Sequence, residues 1–206
     1  MKGFLLALML LYLPTGNSEA NPSLFLVVDT WQCRLLVFSE DRLVKIYPVA
    51  VGKAGTPTPV GSWRVIRKAM NWGSGFGTRW IGLDVPWGIY GLHGTNKPWS
   101  IGRHESQGCI RMFNRDIEEL YPRVQPGTPV IVVGEILRGP RVLREGDCGS
   151  DVMEVQRVLQ RQGFYAGPIS GRFDARTKEA VRRFQQHYRL PSLGEVDEKT
   201  YELLGL

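Results

Sequence analysis

A chain of 206 residues, 43% hydrophobic and 22% charged, has the balance of a soluble globular protein and can hold one large domain or two small ones. Its formal net charge of +6 fits nucleic acid, an anionic membrane face or an anionic wall polymer, and without a dense Lys/Arg run it selects none of them. The cysteines, Cys33, Cys109 and Cys148, are odd in number, so at least one lacks an intramolecular partner, and with no CxxC pair they argue against a thiolate-rich zinc site.

The chain opens with Met1-Lys2 and an unbroken apolar run from Phe4 to Leu13, which Pro14-Thr15-Gly16-Asn17 breaks. Ser18-Glu19-Ala20 then supplies small residues where a signal peptidase reads. The run falls short of the roughly 20 residues a spanning helix needs. The expectation is a signal peptide over 1–20, export, a mature start near Asn21 and no stable membrane span after cleavage. No cysteine near that point marks a lipid anchor.

From residue 21 to 134 short apolar runs alternate with turn residues, which predicts a mostly β domain, a sandwich or an open barrel. Strands are expected at Leu24–Val28, Arg34–Phe38, Leu43–Val51, Trp63–Ile66, Gly88–His93, Ile110–Met112 and Val130–Val133. One helix fits Asn114–Tyr121, with Asn114 as N-cap and Asp116, Glu118 and Glu119 close to its positive end. Residues 135–140 read as a linker. Beyond it, Val152, Val155, Val158 and Leu159, then Ala180, Val181 and Phe184, recur at helical spacing. Gly171-Arg172-Phe173-Asp174-Ala175-Arg176-Thr177 matches Gly194-Glu195-Val196-Asp197-Glu198-Lys199-Thr200 as Gly-x-apolar-Asp-x-x-Thr. Each copy is a helix start: glycine permits the turn, the apolar residue anchors it, and aspartate caps the helix. A three-helix domain over 141–206 follows.

The chemistry concentrates in Tyr90-Gly91-Leu92-His93-Gly94-Thr95 and Ser106-Gln107-Gly108-Cys109-Ile110-Arg111-Met112. A cysteine after glycine projects from a tight turn with neighbouring N–H groups free, as a nucleophile beside an oxyanion site requires. If a strand continues from Cys109, its thiol and the Arg111 guanidinium share one face, and Ile110 and Met112 enter the core. A nearby cation also favours the thiolate. Taken singly, a lone cysteine is more often a small buried hydrophobe and a lone histidine a satisfied structural group; the grouping carries the argument. His104, in a polar loop, is a rival base without that context, and His187 reads as solvated surface.

On His93-Gly94-Thr95, Ser106-x-Gly108-Cys109-Ile110-Arg111-Met112 and Asp116, with Val51-Gly52 and Thr58-Pro59-x-Gly61-x-Trp63 upstream, the segment Leu24–Val133 resembles the L,D-transpeptidase catalytic domain of the YkuD type. The resemblance implies a YkuD-like β-sandwich and no cofactor. A cysteine attacks a peptidoglycan stem peptide after its third residue, releases D-alanine and passes the acyl group to a neighbouring stem, giving a 3→3 cross-link. Carried over, Cys109 is the nucleophile, His93 the base and the Gly94 carbonyl the group holding its tautomer. The N–H groups of Gln107, Gly108 and Cys109 are oxyanion-hole candidates. Ser106 and Arg111 are substrate-binding candidates, Arg111 being equally open to pairing with Asp116. Many family members carry histidine where this chain has Gln107.

The segment from Arg141 resembles the three-helix peptidoglycan-binding domain through Leu143-x-x-Gly146-x-x-Gly149-x-Asp151-Val152, Gln156-x-x-Leu159, Gly163-Phe164-Tyr165 and Ala180-Val181-x-x-Phe184-Gln185. It implies a tether that raises local substrate concentration. The expected partner is therefore peptidoglycan, both tetrapeptide donor and diamino-acid acceptor, with no nucleic acid and a monomeric chain. The alternatives are transfer to water (an L,D-carboxypeptidase), a non-catalytic wall-binding protein, a sortase-like transferase, and a zinc peptidase. His93, His104 and Cys109 show no metal-ligand spacing.

Overall fold

Alternating β-branched and large apolar residues build the first half of the chain. The computed structural model describes residues 24–136 and 141–206; the expected signal peptide, the start near Asn21 and most of the 135–140 linker lie outside them. Strands β1 (Leu24–Asp29), β2 (Arg34–Ser39) and β3 (Arg42–Pro48) form an antiparallel meander. Leu26, Val28, Leu35 and Val37 point to one side and are fully buried, as the period-two pleat dictates. Strand β10 (Pro129–Val133) returns parallel to β1 and antiparallel to β5 (Gly61–Met70). The sheet continues through β6 (Arg79–Leu83) and β7 (Tyr90–His93) to β9 (Ile110–Arg111), in the order β3-β2-β1-β10-β5-β6-β7-β9. Two short strands, β4 (Val51–Gly52) and β8 (His104–Ser106), pair in parallel beside it.

One mixed sheet thus curls around a single core, to which helix α1 (Asn114–Leu120) contributes Ile117 and Leu120. The expected mostly-β class holds, with local differences. Strand β6 was not expected: Trp80, Ile81, Gly82 and Leu83 are all buried, so no polar alternation marks them, and a glycine-rich loop precedes them. The expected Leu43–Val51 strand divides into β3 and β4, and β7 starts at Tyr90 rather than Gly88.

Helices α2 (Ser150–Arg161), α3 (Ala175–His187) and α4 (Glu198–Leu204) enclose a second core of Val152, Val155, Leu159, Val181, Phe184 and their neighbours. The repeat behaves as its chemistry predicts. Asp174 accepts from Thr177 N and Asp197 from Thr200 N, each at 2.9 Å, while Phe173 and Val196 are buried. The preceding helix supplies a further device in each copy. Gln156 Oε1 accepts from Gly171 N at 2.8 Å, and its Nε2 donates to the Arg172 carbonyl and to Thr177 Oγ1, both at 2.9 Å. Gln185 repeats this with Gly194 N, the Glu195 carbonyl and Thr200 Oγ1 at 2.9, 2.8 and 3.1 Å.

Gln156→Leu leaves the buried Gly171 N–H unsatisfied, while the Arg172 carbonyl keeps the Asp174 N–H at 3.0 Å. Since such a group costs about 1–3 kcal/mol, the variant is expected to lose about that much in urea unfolding followed by helical circular dichroism. An unchanged midpoint would show that the glutamine is dispensable.

Candidate active site

Ser106 organises the cysteine turn. Its carbonyl accepts from Lys53 N at 3.1 Å and Thr56 Oγ1 at 3.2 Å, both in the loop after β4. Its hydroxyl donates to the Cys109 carbonyl at 2.5 Å and accepts from Gly108 N at 3.1 Å. Gly108 sits at φ +107°, and a Cβ there would lie 2.7 Å from the Tyr90 ring, so only glycine closes this turn.

The sheet then sets the faces. Register across β6, β7 and β9 aligns Ile81, Leu92 and Ile110 in one row and Trp80, His93 and Arg111 in the next. The first row is buried in the core of the β domain; the second is on the opposite face. Cys109 lies immediately before β9, two residues from Arg111 and only partly exposed. The sequence-based division, Ile110 and Met112 inward and Cys109 and Arg111 outward, is the one observed.

His93 is 3% exposed. Its ring stacks on Trp80 at 5.6 Å and meets Phe76 edge-on at 4.9 Å. Nδ1 is hydrogen-bonded to the Gly94 carbonyl. A carbonyl only accepts, so Nδ1 carries the proton and Nε2 keeps its lone pair. Burial pushes the imidazole pKa down to about 4, opposed by the Gly94 carbonyl, helped by the Arg111 charge and opposed again by the Phe76 carbonyl. Burial also pushes the Cys109 thiol up, against the Gly91 N–H and Arg111. Its Sγ lies 3.9 Å from the Ile89 carbonyl oxygen. Near neutral pH the pair is therefore a thiol and a neutral imidazole, with Arg111 favouring the thiolate and disfavouring the imidazolium.

Four expectations are corrected. Asn114 is not the helix cap: Phe113 holds that position without a side-chain bond, and Asn114 Oδ1 accepts from Thr95 N at 3.0 Å and Thr78 N at 3.4 Å. Asparagine at a helix start serves either use, and here the loop after His93 claims it. A Cβ on Gly94 would come within 2.1 Å of that oxygen, which explains the glycine after His93. Second, Arg111 does not pair with Asp116. Asp116 meets Arg115 at 3.4 Å, and Arg111 has no ion pair among the described residues. Third, the Ser106 hydroxyl, offered as a substrate contact, is buried and consumed within the turn. Fourth, the Gly108 N–H is committed to Ser106, so of the three candidate donors only those of Gln107 and Cys109 meet no acceptor among the described residues.

All three thiols are free, Cys33 buried and Cys148 exposed. Sequence reasoning missed Trp80 and Phe76 as the walls of the histidine. Their only signal was an aromatic cluster, which packed loop surface explains equally well.

The L,D-transpeptidase catalytic-domain family matches residues 23–132, and a family described as "Putative peptidoglycan binding domain" matches residues 148–204. A Bacillus licheniformis protein named "Putative L,D-transpeptidase YkuD" is 48% identical over 98 residues, which cover 48% of this chain and 58% of that protein. The Bacillus subtilis "Putative L,D-transpeptidase YqjB" is 33% identical over 137 residues, 59% of this chain and 78% of that protein. The chain thus spans little more than half of the YkuD relative. The solved catalytic domain of an Enterococcus faecium L,D-transpeptidase is 24% identical, covers 53% of this chain and 96% of that one, and gives a TM-score of 0.47.

Two outcomes follow from the electrostatics. The unfolded chain protonates His93 near pH 6.5 and the folded one near 4, so the unfolded state binds more protons in between. This contribution, roughly 3 kcal/mol, is complete above about pH 6.5 and is lost as pH falls towards 4. Melting temperature is expected to fall over that window in the wild type and less in a folded His93→Gln variant; equal slopes would contradict it. Arg111→Met removes the charge that stabilises the thiolate. Iodoacetamide labelling of Cys109 at pH 7 is expected to slow, and an unchanged rate would place Arg111 outside the thiol's field.

Proposed function

Because this chain belongs to the L,D-transpeptidase catalytic-domain family, we propose that it is an exported peptidoglycan acyltransferase with Cys109 as nucleophile and His93 as base. The observation that supports this reading is that Arg111, paired in register with His93 and two residues from Cys109, carries a charge that acts on both groups.

The chemistry follows from the protonation states. His93 Nε2 takes the thiol proton as Sγ attacks the carbonyl of the third stem residue. The oxygen's negative charge meets the N–H groups of Gln107 and Cys109. Collapse breaks the peptide bond, the D-alanine nitrogen leaves with the proton from the imidazolium, and a thioester remains. An amine from a neighbouring stem then attacks the thioester, gives its proton to His93, and releases the thiol with a 3→3 bond formed. The Gly94 carbonyl keeps Nδ1 protonated throughout, so Nε2 faces the reaction in both halves. Arg111, uncompensated by any carboxylate among the described residues, is placed to meet a substrate carboxylate. The helical domain holds the enzyme on the polymer.

Incubation with disaccharide-tetrapeptide is expected to release D-alanine and give a dimer joined between third residues, read by mass spectrometry. Free tripeptide without dimer would make water the acceptor. Cys109→Ser is expected to abolish release, since a hydroxyl is far less acidic than a thiol, and His93→Ala to slow it by about 10²–10⁴-fold. A folded Cys109→Ser protein that releases D-alanine at the wild-type rate would sink the proposal.

A further inference from the structure

The helical domain is docked onto the β domain. Met153 of α2 belongs to the β-domain core. Ser150 Oγ donates to the Val60 carbonyl at 3.0 Å, and the Arg172 guanidinium donates twice to the Pro86 carbonyl at 2.8 and 3.2 Å. Gly171 lies so close to Trp87 that a Cβ would stand 2.4 Å from the indole, and Trp87 packs edge-on against Trp63 at 5.4 Å.

This docking leaves a cavity of about 410 Å³ between the domains, within the range of about 300–1,000 Å³ usual for ligand sites. The β domain contributes Lys53, Tyr90 and Gln107; the helical domain contributes Arg141, Cys148 and Asp151. The cavity adjoins the reacting thiol. Gln107 is two residues from Cys109, Gly108 packs on the Tyr90 ring, and Cys109 Sγ sits beside the carbonyl of Ile89, the residue before Tyr90. Tyr90 is the partition: the thiols of Cys148 and Cys109 both raise its pKa, after burial.

The walls carry Lys53, Arg141, His104 and the carboxyl groups of Glu135 and Asp151. Arg141 is neutralised by Asp147 at 2.8 Å and Asp151 at 2.9 Å. Lys53 makes no ion pair among the described residues, and the loop that carries it hydrogen-bonds to Ser106 of the cysteine turn. We propose that this interdomain cavity is a subsite for a peptidoglycan stem peptide, whose carboxylate meets Lys53 and whose amides meet Gln107, so that the helical domain forms one wall of the substrate site. The inference rests on the transpeptidase reading for its ligand, but its test is a binding measurement.

Lys53→Glu reverses the anchoring charge, Lys53→Arg keeps it, and Cys148→Trp fills the cavity from the helical side. Each is combined with Cys109→Ser, so that nothing turns over, and titrated with disaccharide-tetrapeptide by calorimetry. Kd is expected to rise by about tenfold or more for Lys53→Glu and Cys148→Trp, and to stay at the parent value for Lys53→Arg. Iodoacetamide labelling of Cys109 in the corresponding single variants is expected to match the wild type, showing the cysteine turn intact. Unchanged Kd values for both Lys53→Glu and Cys148→Trp would overturn the subsite, even if the wild type releases D-alanine. Raised Kd values in a protein that releases none would keep the subsite and remove the reaction.

Discussion

The parallel pairing of β7 with β9 is the constraint on which the site depends. Antiparallel neighbours need only a hairpin, whereas a parallel pair requires a crossover long enough to bring the chain back to its starting end. Here the crossover carries β8 and the cysteine turn, so the connection that makes the pairing possible also delivers the thiol. The register, His93 against Arg111, puts both on the face away from the core. A slip of one residue would send Arg111 into the apolar interior and Ile110 outward. The full burial of Ile81, Leu92 and Met112, with Ile110 at 1% exposure, opposes that slip, so core packing fixes the geometry of the polar face behind it.

That polar face is tuned by burial. Trp80 and Phe76 enclose the imidazole, and this low-dielectric wall, more than any single charge, lowers its proton affinity. Arg111 disfavours the imidazolium and favours the thiolate. The result near neutral pH is an uncharged imidazole and a protonated thiol, so neither group is ionised in the resting protein. The same enclosure makes the histidine costly to ionise, so the chemistry and the acid sensitivity of the fold share one cause.

Legibility in the sequence followed the periodicity of each segment. Strands β1 and β2 are apolar runs bounded by turn residues, and the Gly-x-apolar-Asp-x-x-Thr repeat states its helix starts in the residues themselves; both were readable. Strand β6 was not, because its apolar run is short and broken by Gly82 after a glycine-rich loop. The face assignment of Cys109, Ile110, Arg111 and Met112 needed only the pleat. What sequence could not reveal was the disposal of hydrogen bonds between distant segments. Whether Asn114 caps its own helix or holds Thr95, and whether Ser106 faces solvent or braces Cys109, depends on which unpaired amides the fold brings near. Glycine carried a related signal: Gly94 and Gly108 mark places where Asn114 and Tyr90 come too close for a Cβ, but the partners are invisible until the chain folds.

The two domains are coupled through the same logic of filled space. A flexible tether would need only polar surfaces on either side of a linker, yet Met153 is buried in the β-domain core and Gly171 is shaped to the Trp87 ring. Apolar insertion and a glycine contact cost stability when separated, so the docked arrangement is held by packing that neither domain satisfies alone. Gln156 adds a second link, because it fixes Gly171, the residue that meets Trp87, through the same bonds that fix the start of α3. The internal staple of the helical domain therefore positions its contact with the β domain. Orientation is thereby set before any ligand arrives, which reduces the ordering cost a polymeric substrate would impose.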